Sequence, residues 1–211
     1  MSTNHPASEQ LGFDALIAEA DSANARQRFD RDTAHLPSEL DEAAGYFRLL
    51  IRQHHAAMLE ANVRGVFALR SQARALARKL GNGDPGFLAN EDAPGCVLER
   101  LTAASAGTLP LWGQKAAFEI DVNRMKVCIK LEGLLGIGAS VMFWPGFAAH
   151  AVDFERPFLS ETGYRSFLGI AAEPYACVLP QEFAEKVIAA YVRTELKGKL
   201  APIHQRYRGA A

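Results

Sequence analysis

The sequence predicts an α+β fold: N-terminal helices, a mainly antiparallel sheet over about 116–171, and a closing helix over about 180–197. Three observations carry this. Apolar residues recur near a 3.6-residue period from 38 to 81. The period then falls to two in a pair of adjacent runs, Phe118–Val122 and Val127–Leu131. Finally, Leu179–Pro180–Gln181 opens a last helical segment, with proline at a first-turn position.

Taken in order, residues 1–9 read as a loose terminus. An amphipathic helix starts near Leu11 and fades into the charged stretch Arg26–Asp32, so residues 1–36 form an N-terminal arm. The rest, 37–211, reads as one α+β domain. Pro37–Ser38–Glu39–Leu40–Asp41 is a helix start, with Ser38 suited to cap free N–H groups and Glu39, Asp41 and Glu42 complementing the dipole. The stripe that follows runs through Leu40, Phe47, Ile51, His54, Met58, Leu69, Ala73, Leu76 and Leu80. No proline interrupts it before Gly81, so one long amphipathic helix over 38–81 is expected, or two that break near Asn62–Gly65. A single helix of that length exceeds what a small sheet can bury, and the excess stripe points to a second subunit.

Residues 85–94 read as a loop and 95–104 as a short helix. Asn123–Arg124 then has the length of a two-residue hairpin loop. Setting Val122 opposite Met125 places Asp121 opposite Lys126, Ile120 opposite Val127 and Phe118 opposite Ile129. Apolar meets apolar and acid meets base, which fixes the register. Ala139–Trp144 and Phe147–Phe154 are read as further strands, and Tyr164–Ile170 as a strand or the start of a short helix.

Composition narrows the function classes. A hydrophobic content of 49% supports a substantial core, and a net charge of −1 gives no global attraction to nucleic acid or membrane. The uncharged stretch 133–152 is long enough to span a bilayer, but Gly133, Gly136, Gly138, Pro145 and Gly146 break any helix there, so no membrane span is expected. Cys96, Cys128 and Cys177 are far apart and odd in number, which suggests a reducing, cytoplasmic setting. The glycines of GLLGIG (133–138) lack the pattern of a phosphate-binding loop and read as a turn.

The most crowded stretch is WPGFAAHAVDFERPFLSETGYRSFLG, 144–169. His150 with Asp153 and Glu155 suggests a metal site, but on a strand His150 and Asp153 face opposite sides, so no metal or other cofactor is expected. Adjacent His54 and His55 diverge by about 100° on a helix and do not chelate. Cys128 shares a face with Lys126 and Lys130, which favours thiolate character, with no base near it in sequence. An anionic or polar ligand site is expected at Ser160, Tyr164 and Arg165, with Glu161 as candidate acid/base and His150 as alternative base if the protein is an enzyme.

Arg70, Arg74 and Arg78 follow at i, i+4, with Arg64 and Lys79 alongside. Like charges at that spacing cost a few tenths of a kcal/mol per pair, so they call for partners. Intramolecular or subunit pairing is favoured over an anionic partner such as a phosphate backbone, because no aromatics interleave for base stacking. With no recognisable catalytic motif, the expectation is a bacterial-type cytoplasmic binding or interaction protein. It is expected to be homo-oligomeric through the long helix, with a protein partner possible and nucleic acid not favoured.

Overall fold

A computed structural model describes residues 7–208, so the expected loose terminus falls outside the described residues for 1–6. The α+β expectation holds. Five helices, α1 (Ala7–Asp32), α2 (Leu40–Leu59), α3 (Val63–Leu80), α4 (Pro94–Leu101) and α5 (Pro180–Thr194), accompany four strands, β1 (Ala116–Val122), β2 (Met125–Leu131), β3 (Phe147–Ala151) and β4 (Tyr164–Phe167). The strands form one antiparallel sheet in the order β1-β2-β3-β4. The β1–β2 register is the one its side chains dictate, with Phe118 opposite Ile129 and Asp121 opposite Lys126.

Several boundaries differ from the sequence expectation. The arm helix does not fade at Arg26 but runs from Ala7 to Asp32. The N-cap of α2 is Glu39, in extended conformation and without a side-chain cap, so Ser38 does not play that part.

The long helix over 38–81 is corrected to two. Ala61 adopts a left-handed φ of 54°, and the Asn62 side chain accepts the N–H of Gly65 at 2.9 Å, ending α2 and capping α3 within residues 61–65. The two helices fold back on each other with α4. Phe47, Leu50 and Ile51 of α2, Ala73, Leu76 and Ala77 of α3 and Leu98 of α4 form one apolar cluster with Leu134 and Leu135. The stripe that seemed to need a second subunit is therefore covered within the chain.

A second cluster lies between one sheet face and α5. Phe118, Val127, Ile129, Phe147 and Ala149 point inward and meet Phe183, Ile188 and Val192. Each buried Val, Ile or Phe side chain here contributes about 1.5–3 kcal/mol. Trp144 stacks on Phe183 at 4.7 Å between ring centroids, and Trp112 meets both edge-on or tilted. Among the described residues, no helix is long and apolar enough to cross a membrane.

Residues 139–144, expected as a strand, instead form a short 3-10 turn and an irregular loop. The cause is Arg70, which is fully buried on α3. Its guanidinium donates to the carbonyls of Ala139 (3.2 Å), Met142 (2.6 Å) and Phe143 (2.8 Å), groups that a strand would turn toward a neighbour. Arg70 also donates from Nε to His54 Nε2 at 3.0 Å. His54 must therefore carry its proton on Nδ1, which donates to the Trp112 carbonyl at 3.1 Å. His55 Nδ1 accepts the Trp112 N–H at 3.1 Å, so the adjacent histidines hold both sides of one residue. Burial, then the Arg70 charge, pushes the His54 pKa down to about 3, and His54 is neutral in the folded protein. Burial and the charge of Arg74 lower Arg70 to about 10, so it remains a cation at neutral pH.

Candidate functional site

Strand alternation turns one sheet face to the core and the other outward. The register aligns the outward side chains in rows. Glu119, Cys128, His150 and Tyr164 form one row across the four strands, and Ala117, Lys130, Ala148 and Ser166 form the next. Cys128, which has no base near it in sequence, thus gains His150 as its cross-strand neighbour. The His150 ring meets Tyr164 edge-on at 5.0 Å between centroids, and burial together with the Lys130 charge lowers its pKa, so it is neutral at pH 7.

The second row is the floor of a groove. Helix α4 forms one wall, presenting Cys96, Glu99 and Arg100, and small residues at 117 and 148 leave space on either side of Lys130. Two cavities, of about 540 and 460 Å³, share Cys96, Lys115, Lys130 and Leu131 and so adjoin as one channel. It reaches Tyr164, Ser166 and Leu168 at the far end.

Glu99 is buried at 7% exposure between this groove and the 133–138 turn. It accepts the N–H of Leu135 at 3.2 Å and lies 3.7 Å from the Lys115 ammonium. Burial raises its pKa, with Glu132 adding to the rise, while Lys115 and the Leu135 amide oppose it. Glu132 accepts the N–H of Gly138 at 3.0 Å. A Cβ at residue 133 would strike the Glu99 carboxylate, and one at 136 would lie 2.5 Å from Glu132 Cβ. The GLLGIG glycines thus make room for two carboxylates, the opposite of a phosphate cradle. Lys130 has no ion pair among the described residues, unlike Lys115 and Lys126. The groove therefore offers a cation without an ion pair among the described residues, hydroxyls at Tyr164 and Ser166, and walls that mix apolar side chains with Glu91, Glu99, Arg100, Lys115 and Glu132.

The expected ligand trio does not converge as a unit. Tyr164 faces the groove, whereas Arg165 faces the other way and lies over the Tyr191 ring of α5 at 4.6 Å. Ser160 Oγ donates to the Tyr164 carbonyl at 2.7 Å, and Thr162 Oγ1 lies 3.2 Å from the same oxygen. Those hydroxyls occupy backbone positions that β4 turns away from β3, so the Ser160 turn closes a sheet edge. Glu161 lies in that exposed turn, where its carbonyl accepts the His204 N–H. His150 lies opposite Tyr164 on the outward face, whereas Arg165 lies opposite Ala149 on the other. Asp153 pairs with Arg156 at 3.1 Å and Glu155 with Arg208 at 3.0 Å, which ties both carboxylates away from His150.

The basic helix face is also redistributed. Arg70 is internal, Arg78 lies over the Phe29 ring of α1 at 4.8 Å, and Lys79 donates to the carbonyls of Thr33 and Leu36. Arg74 is half-buried and Arg64 is exposed. Arg70, Arg78 and Lys79 thus fasten α3 to the loop and to α1 through carbonyls and an aromatic ring.

No family model matches the chain, and no solved structure matches it. Among curated proteins it is similar to a Protein KlcB of Escherichia coli, 29% identical over 176 residues that cover 83% of this chain and 42% of that protein. It is similar to another Protein KlcB of Escherichia coli, 35% identical over 113 residues that cover 54% of this chain and 24% of that protein. The chain thus spans less than half the length of the curated relatives it matches. Both relatives are bacterial, in keeping with the bacterial type expected from sequence, and their names state no activity.

Proposed function

We propose that the protein works by binding, and that the groove between α4 and the outward sheet face holds a small ligand with an apolar body and an anionic end. One observation carries the reading: the adjoining cavities of about 540 and 460 Å³ meet at Lys130, a cation with no ion pair among the described residues. A concave, mostly apolar channel with a few convergent polar groups is the usual form of a small-molecule site. Lys130 supplies the counter-charge, Tyr164 and Ser166 the hydrogen bonds, and Leu88, Ile137 and Leu168 the apolar contact. The reading retains Tyr164 from the sequence expectation and replaces Ser160 and Arg165 with Ser166 and Lys130. Thermal unfolding against aliphatic and aromatic carboxylates tests it. Saturable stabilisation that Lys130→Ala and Ala148→Trp both abolish is expected; binding unchanged in either variant removes the groove from the account.

A second reading concerns self-association. Helix α1 exposes Phe13 (64%), Leu16 (65%) and Ile17 (46%) at i, i+3, i+4 spacing, an apolar patch on one side. This supports an oligomer through α1 in place of the 38–81 stripe. Light scattering after size exclusion should give a mass above the 23.0 kDa monomer that falls in Leu16→Asp. A monomer throughout the micromolar range rejects it.

A further inference from the structure

We propose that the cavity between the β1–β2 hairpin tip and the end of α5 is a binding site for a phosphate group, free or carried by a small phosphomonoester. The cavity encloses about 710 Å³ and is lined by Arg124 from the hairpin, Arg193 from α5 and Lys197 from the turn beyond it. No carboxylate lines it, and none of the three cations has an ion pair among the described residues. Asn123 adds an amide at the rim, and Val192 and Leu200 give an apolar floor.

Backbone conformation marks the same place independently. Six described residues other than glycine have a positive φ, and three of them line this cavity: Asn123 (49°), Arg124 (65°) and Lys197 (50°). Asparagine suits the first position of such a two-residue hairpin turn and glycine the second. Arginine there is conformationally unfavourable, so its presence calls for a role of the side chain. Arg193 and Lys197 follow the ordinary preference for cations at a helix C-terminus. Arg124 comes from another element and has no such reason to be near them.

Three cations from three directions fit a tetrahedral dianion, whose oxygens accept separate donors, including forked guanidinium contacts. A carboxylate, with one charge and two coplanar oxygens, would leave two of the three cations unmatched, against one for the dianion. Asp121 precedes the hairpin turn and Glu195 lies between Arg193 and Lys197, so the positive patch is bounded by acids along both segments. An extended nucleic-acid backbone needs a longer basic track than this. The volume lies within the about 300–1,000 Å³ of small-ligand sites.

The test is calorimetric titration of the full chain with inorganic phosphate, with the monoester glucose 6-phosphate, and with a single-stranded oligonucleotide, all at constant ionic strength set with chloride. Saturable phosphate or monoester binding is expected, weakened at least tenfold by Arg124→Gly and by Lys197→Ala and unchanged by Arg64→Ala, a distant exposed cation. A monoester that binds more tightly than phosphate assigns the natural ligand to the ester class; equal or tighter phosphate assigns the free ion. Arg124→Gly places glycine where the backbone favours it, so loss of binding with retained circular dichroism reports the side chain. Binding that survives both substitutions, no heat beyond chloride, or an oligonucleotide preferred over both small anions overturns the proposal. None of these outcomes depends on the groove at Lys130.

Discussion

The cations of α3 and those around the hairpin cavity are the same residue types with opposite fates. Arg70, Arg78 and Lys79 lie within ten residues, resemble a binding face, and are consumed internally by carbonyls and a phenyl ring. Arg124, Arg193 and Lys197 are dispersed in sequence, resemble scattered surface charge, and converge on one open cavity without partners. A basic cluster along a helix is therefore weak evidence for a partner until the surface facing it is known. The cost of desolvating a cation explains the first set. A guanidinium buried as deeply as that of Arg70 needs acceptors, and backbone carbonyls of an irregular loop are those at hand.

The contrast can be broken most severely at Arg70. Arg70→Ala orphans three buried carbonyls and His54 Nε2 and leaves a cavity, so urea denaturation should show a loss of about 3–5 kcal/mol. Arg70→Lys should recover only part, since a single ammonium cannot span acceptors on Ala139, Met142, Phe143 and His54 together.

Acid weakens the same node. The folded His54 pKa of about 3 lies below its ordinary 6.5, so below pH 6.5 the unfolded chain takes up a proton that the folded one refuses. The stabilisation is fully present above pH 6.5 and is lost as pH falls toward 3, with a slope of up to about 1.4 kcal/mol per pH unit from this group. Denaturation midpoints across that range should flatten in His54→Gln. An unchanged slope would show that His54 is not the buried neutral base.

Smaller effects sharpen the other side. Arg78→Ala should cost about 0.5–1 kcal/mol and expose Phe29, loosening α1 and quickening its proteolysis. Arg124→Gly should instead stabilise by about 0.5–1 kcal/mol, because relief of a left-handed arginine outweighs the entropy glycine adds to the unfolded chain. A stability gain joined to a loss of phosphate binding is the signature of a residue kept for its side chain.

Much of the fold was legible because its determinants are local. The β1–β2 register follows from side chains that lie between Ala116 and Leu131, and the α2–α3 break carries its own signal in Asn62 and Gly65. Residues 139–144 were misread because an apolar run resembles a strand, and nothing within it reveals an arginine about seventy residues earlier that takes its carbonyls. At the candidate site, alternation separates His150 from Asp153 in the sequence itself. It gave no means of setting Cys128 beside His150, or Lys130 between Ala117 and Ala148, because those meetings depend on the β2–β3 pairing across a fifteen-residue connection.

The sequence alone determined the α+β class, the hairpin register and which residues share a strand face, since periodicity and cross-strand complementarity are properties of neighbours. Tertiary structure decided what each face meets: that the α3 cations turn inward, that GLLGIG encloses carboxylates, and that three distant cations are left facing one cavity. The physical reason is that burial and charge neutralisation are set by the opposing surface, which for these groups comes from distant parts of the chain.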